Sequence, residues 1–346
     1  MTSTPAAAKK ERDYLFDNIK ALLIFLVAAV HFMAAVTMKK EMVPLAELFK
    51  VTACIFHMPM FFFISGYFSK NLEKSEKGSA KILRLYLIAQ LINIVYHLIA
   101  AKNYIPTLMD IIVPSFSMWY LFALFFMRSY LPQLVKIKYI LPASAVLSVL
   151  IMASGNVKGL ELVVMRGLAN LVYFIMGYCV TSDMIAKVRK LPKIVYGGLL
   201  ALSLGIAYVV IIYLDKAGLS PYKLRNMLLR NGFWPEKSPL LYPFFTAAII
   251  AAVYFAVLII GVMPSRKTII SSIGRNSVYV YIAQAVIYQE FNRQVKAGFV
   301  TGSQKKLFAA AMVLALACTL IFGNSFTASI PSRIKGLISR PKQEQT

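Results

Sequence analysis

Residues 13–38 read DYLFDNIKALLIFLVAAVHFMAAVTM, and this stretch decides the fold. It is one long apolar helix with a lysine near its start and a histidine deep inside. Lys20 and His31 are eleven residues apart. At 100° per residue that is three turns plus about 20°, so the two side chains share a face, roughly 16 Å apart along the axis. Asp17 falls within about 60° of both. Three ionisable groups along one stripe of a membrane span are costly in hydrocarbon and call for a reason.

The rest of the chain agrees with a membrane reading. It has 346 residues, 59% of them apolar, and a mean hydropathy of +0.68. That composition excludes an ordinary soluble domain and predicts an all-α polytopic membrane protein. A β-barrel does not fit, because the apolar runs are continuous and about 20 residues long instead of alternating. The formal charge of +24 would suggest nucleic acid in a soluble protein. Here the basic residues sit between apolar runs, where they set topology and meet lipid headgroups, so no nucleic-acid partner is expected. Cys54, Cys179 and Cys318 all lie within apolar runs. They are expected to be buried small side chains, forming neither a disulfide framework nor a metal cluster.

About ten spans are predicted, at 14–37, 46–69, 80–100, 115–132, 137–154, 161–180, 194–214, 240–262, 273–292 and 304–328. The fourth is the weakest, being short and preceded by Pro106 and Pro114. The first is too long for a signal-peptide core and is read as an uncleaved helix. Connections and tails on one side carry 20 basic residues against 13 on the other. Both termini are therefore expected in the cytoplasm. The organisation that follows is a cytoplasmic tail at 1–13, a transmembrane domain at 14–328 and a second cytoplasmic tail at 329–346. The longest connection, 215–239, is external in this topology and aromatic and basic enough to cover a cavity mouth; an interfacial connector is the competing reading. No internal repeat is evident.

Alternating helix direction gives each polar group a depth. His31, His57 and His97 fall in or near the outer half of the bilayer. Lys20, Lys81, Arg84 and Arg275 fall near the inner boundary. An inner ring of cations can hold a phosphorylated donor, and a deeper imidazole can take a proton from a hydroxyl. His57 precedes Pro59, where a kink frees backbone groups that a side chain can satisfy, and His97 reads as a headgroup-level residue. Arg166 must find a partner or face inward. Ser65, in FISGYF, has no histidine placed by sequence to activate it. There is no Walker-type loop, no GxSxG elbow and no HExxH.

At these residues the chain resembles a known family. DYLFDNIKALLIFLVAAVHF is similar to the first helix of the membrane acyltransferase-3 family, the O-acetyltransferases of bacterial surface polysaccharides and related glycans. The family has Arg or Lys, ten residues, then His; here these are Lys20 and His31. FHMPMFFFISGYFSK resembles its second-helix motif, and Lys81 to Arg84 its Arg-x-x-Arg element with lysine in the first position. SMWYLFALF, containing Trp119, resembles the fourth helix, while NLVYFIMGY and GRNSVYVYIAQ resemble the sixth and ninth. The resemblance runs from about residue 12 to about residue 325 and is closest to the fucose 4-O-acetylase-like branch. Many relatives carry histidine where Gln284 stands here.

The resemblance implies an O-acyltransferase of the bacterial cytoplasmic membrane. Acetyl-CoA or another short acyl-CoA would be the cytoplasmic donor, with no metal, and a glycan hydroxyl the acceptor. His31 and Lys20 would be catalytic. Lys81, Arg84 and Arg275 would hold the donor. His57, Ser65, Trp119, Arg166 and Gln284 would face substrate. The alternative from the residues themselves is a transporter or flippase for a lipid-linked glycan or small solute, which would more often show paired halves or interrupted helices.

Overall fold

A computed structural model of the chain describes residues 13–36, 44–101, 103–154, 159–217, 239–327 and 329. Among the described residues every regular element is a helix. They are α1 (Leu15–Val36), α2 (Pro44–Tyr67), α3 (Leu72–Ala100), α4 (Met109–Ile112), α5 (Trp119–Leu134), α6 (Ile140–Ala153), α7 (Gly159–Ala169), α8 (Leu171–Cys179), α9 (Ser182–Val188), α10 (Lys193–Lys216), α11 (Leu241–Val262), α12 (Ser271–Arg275), α13 (Ser277–Lys296) and α14 (Gln304–Gly323), with a 3₁₀ turn at Phe116–Met118. Seven among the described residues are long and apolar enough to cross a membrane: α1, α2, α3, the α7–α8 pair, α10, α11 and α14. The protein is an all-α polytopic membrane protein. The other three expected spans coincide with α5 and α6, which are short, and with the more polar α13.

Local sequence explains where several helices start. The Asp13 carboxylate accepts from the Leu15 amide at 2.8 Å, Asn71 caps α3 through the Lys74 amide, and Thr181 caps α9. Each satisfies an amide that has no partner inside its helix.

α1 is the central helix. It packs against α2, α12, α13 and α14, and its apolar face is almost wholly buried, from Leu15 and Ile19 to Phe32 and Met33. α10 is the opposite case. Only 11% of its apolar window is buried, as suits a helix that faces lipid. The closest crossings use glycine. A Cβ on Gly66 of α2 would stand 1.9 Å from the Phe174 carbonyl oxygen, and one on Gly177 of α8 would stand 1.9 Å from that of Phe63. Removing both Cβ atoms lets the backbones touch, which is how membrane helices gain contact without a hydrophobic driving force between them.

The structure corrects several expectations. The fourth span does not run from 115 as one α-helix; its helix starts at Trp119, after the 3₁₀ turn at Phe116–Met118. The third helix begins at Leu72, well before the expected 80. The sixth and ninth spans are interrupted, at Asn170 and Asn276, although no interruption was expected. At the first break the Asn170 side-chain amide donates to the Arg166 carbonyl one turn back, and at the second that of Asn276 donates to the Gly323 carbonyl at the end of α14. Cys179 is exposed instead of buried, at the end of α8. The two tails and nearly all of the 215–239 connection lie outside the described residues.

Candidate active site

The site is assembled on the face of α1 that carries His31. The segment that reaches it from the other side is the stretch between α3 and α5, whose regular structure is the single turn α4 and the 3₁₀ turn at Phe116–Met118. Two side chains of α3 hold that stretch. Gln90, fully buried, donates to the carbonyls of Asp110 and Val113 at 2.9 Å each and accepts from the Ser115 amide at 3.0 Å. The Tyr86 hydroxyl sits 2.9 Å from the Ile111 carbonyl and 3.1 Å from that of Ile112. Gln90 lies about ten residues, roughly 15 Å, inside the end of α3. Carbonyls that a one-turn helix leaves without an internal partner must be met by protein at such depth, and these two side chains meet several of them.

The stretch ends in Phe116 and Ser117. Phe116 has φ 46, a left-handed conformation that a bulky residue adopts only when its surroundings impose it. Its ring stacks on Tyr288 at 4.4 Å between centroids and packs on the His31 imidazole at 4.6 Å. Ser117 is buried, its carbonyl accepting from the Tyr281 hydroxyl. The re-entrant stretch is thus fastened to α13.

Gln284 joins α13 to His31. Its Nε2 lies 3.1 Å from the Tyr281 carbonyl oxygen and 3.3 Å from Ser117 Oγ. A carbonyl can only accept, so the amide nitrogen belongs on that side. The amide oxygen then faces His31 Nδ1, at 2.8 Å, and Nδ1 must carry the proton. His31 Nε2 is left with its lone pair, the tautomer a general base needs. The residue as a whole is only partly buried.

A family model described as an acyltransferase domain, acyltransferase-3, matches residues 13–327. The chain belongs to the acyltransferase-3 family. It is an acyltransferase, and the match covers every helix described above. No curated protein and no solved structure matches the chain.

The other expected site residues of this acyltransferase are spread more widely. Lys20 lies at the base of α1 in an ion pair with Asp17 at 3.0 Å, a turn away. The stripe on α1 is therefore a closed pair below and an imidazole above. Lys81, Arg84 and Arg275 are exposed and, among the described residues, make no hydrogen bond or ion pair. Lys81 and Arg84 stand on α3, which packs chiefly on α5, and Arg275 on α12, which packs on α1. His57 is buried, and its Nδ1 lies 2.5 Å from the Ala53 carbonyl. That carbonyl is its own i−4 group, not the Ile55 carbonyl freed by Pro59. Ser65 Oγ pairs with the Tyr120 hydroxyl at 3.0 Å, one residue beyond Trp119. Arg166 lies over the Trp119 ring, 5.8 Å from its centroid, so those two substrate candidates meet each other. His97 packs among Tyr96 and Tyr104 at the end of α3.

The sequence reading missed five groups of residues. Tyr86 and Gln90 hold the re-entrant stretch, and Ser117 and Tyr281 orient Gln284. Asn18, fully buried, uses all its hydrogen-bonding capacity: it donates to the carbonyls of Pro264 and Arg266 and accepts from Thr268 and Ser271. It pins the α11–α12 connection to α1. Arg128 of α5 approaches Ser75 at 3.4 Å, its guanidinium lying beside Gly78. Glu47 and Lys50 are buried and partnered in the first turns of α2. Buried charges in an apolar helix were the available signal for the last group.

Among the described residues, no three His, Cys, Asp or Glu side chains group as a metal site would require.

Proposed function

We propose that the enzyme moves an acetyl or other short acyl group from acyl-CoA to a hydroxyl of a cell-surface or lipid-linked glycan. The observation that carries this reading is the Tyr281–Gln284–His31 chain, which holds the proton on Nδ1 and leaves His31 Nε2 with the lone pair of a base. In the proposed step Nε2 removes the acceptor's hydroxyl proton as its oxygen forms a bond to the thioester carbonyl carbon. The tetrahedral intermediate then expels the thiolate, which takes the proton from His31 and leaves as free CoA thiol. Atoms and charge balance without a metal or a covalent enzyme intermediate. Lys20, at the base of α1, and the exposed Lys81, Arg84 and Arg275 would meet the donor's phosphates from the side proposed as cytoplasmic, in the cell membrane.

The test uses membranes containing the protein, supplied with acetyl-CoA labelled in its acetyl group. Label should appear on carbohydrate in an alkali-labile ester, with one CoA thiol released per acetyl transferred. Label found only as free acetate, or solute movement with no thiol released, would overturn the reading.

A further inference from the structure

A half-open cavity of about 280 Å³ lies away from His31, between α2, α8, α9 and α11. Its walls are apolar, with Met60 and Phe63 from α2, Met176 from α8, Ile185 from α9 and Ala256 from α11. One lining residue has a polar side chain. Tyr173 is only 4% exposed, and among the described residues its hydroxyl has no hydrogen-bond partner. That hydroxyl is also not among the side-chain polar atoms sealed off within the protein. A hydroxyl that meets no protein partner and is not sealed off is open to an acceptor that reaches it. The volume is near the lower limit for ligand pockets.

One end of the cavity is basic. Lys70 Nζ donates to the carbonyl of Val180, and Arg189 Nη1 donates to the carbonyls of Ile260 and Met263 at 2.9 and 2.8 Å. Val180 and Ile260 both line the cavity. Exposed Lys187 and Lys190 stand beside them, against one carboxylate on α9, Asp183. The cavity is thus an apolar slot with cations at its end and one free donor within. We propose that it holds one acyl chain of an anionic membrane phospholipid. The ester carbonyl of that chain accepts from Tyr173, and the phosphate meets Lys70 and its neighbours. An ester carbonyl is the hydrogen-bond acceptor such a lipid carries next to its hydrocarbon. Anionic headgroups are attracted to clustered lysine and arginine at a membrane surface. This site is separate from the acyl-transfer chemistry and does not depend on it.

The experiment reconstitutes the full chain in nanodiscs and measures cross-linking of phosphatidylglycerol that carries a photoactivatable acyl chain. Labelled peptides should map to α2, α8 and α11. Phosphatidylcholine should compete several-fold less well than phosphatidylglycerol, and Lys70→Gln should narrow that gap. An ether-linked phosphatidylglycerol, which lacks the ester carbonyl, should compete several-fold less well than the ester lipid. Tyr173→Phe should remove the ester preference while leaving the protein folded. Ala256→Phe should block labelling by filling the slot. Equal competition by ether and ester lipids against the unaltered protein would overturn the proposal. So would labelling that maps elsewhere, or displacement by acyl-CoA at concentrations where free phospholipid fails.

Discussion

At the scale of single residues the account turns on Gln284. It touches His31 Nδ1 and leaves Nε2 alone, so it is a positioning residue. Gln284→Ala removes the acceptor that keeps the proton on Nδ1, and the imidazole is then free to take either tautomer. The expected result is a fall in kcat of roughly tenfold or more with little change in the donor KM, within the range that general-base catalysis spans. Gln284→Glu keeps an oxygen facing Nδ1 and should retain much more activity than the alanine variant. If the two variants lost activity equally, orientation of His31 would not be what Gln284 supplies. This pairing was not legible in the sequence. His31 stood out as an imidazole within an apolar run, but its partner is 253 residues away, and no periodicity links positions across that distance. Lys20 was legible as a cation in a span, while its closure onto Asp17 required side-chain geometry.

At the scale of elements, the re-entrant stretch before α5 and the glycine crossing of α2 with α8 carry separate predictions. Gln90→Leu keeps the shape of the side chain and removes three hydrogen bonds to backbone at depth. Each unmet group costs about 1–3 kcal/mol, so Phe116 and Ser117 should shift away from His31. Acyl transfer should drop although no atom of His31 or Gln284 has changed, and unaltered kcat in this variant would show that the stretch does not set the site. Gly66→Ala forces a Cβ against the Phe174 carbonyl. Backbone cannot yield as a flexible side chain does, so a loss of about 1–3 kcal/mol is expected, read as a lower Tm of the detergent-solubilised protein. An unchanged Tm would mean that the crossing is looser than it stands here. Helix positions followed well from the apolar runs, because a run about 20 residues long has few other solutions in a bilayer. The fourth span misled for a physical reason. Pro106 and Pro114 signalled a break, but the chain was stabilised by Tyr86 and Gln90, which read as ordinary interior residues of LYLIAQLI.

At the scale of the whole molecule, the fold places a buried helix, α1, at the centre of a lipid-facing bundle and closes the site around its upper half. The family match runs over residues 13–327, and the described helices lie between Leu15 and Gly323. The donor end was less legible than the base. The cations proposed to hold the donor stand on α1, α3 and α12, and α3 packs chiefly on α5. The central claim is that His31 is the base of acyl transfer, and it is tested most directly by purified protein in nanodiscs with labelled acetyl-CoA at saturation and a glycan acceptor. His31→Ala should lower the transfer rate by about 10²–10⁴-fold, with donor binding and thermal stability preserved. Transfer by His31→Ala at the rate of the unaltered protein would contradict the account.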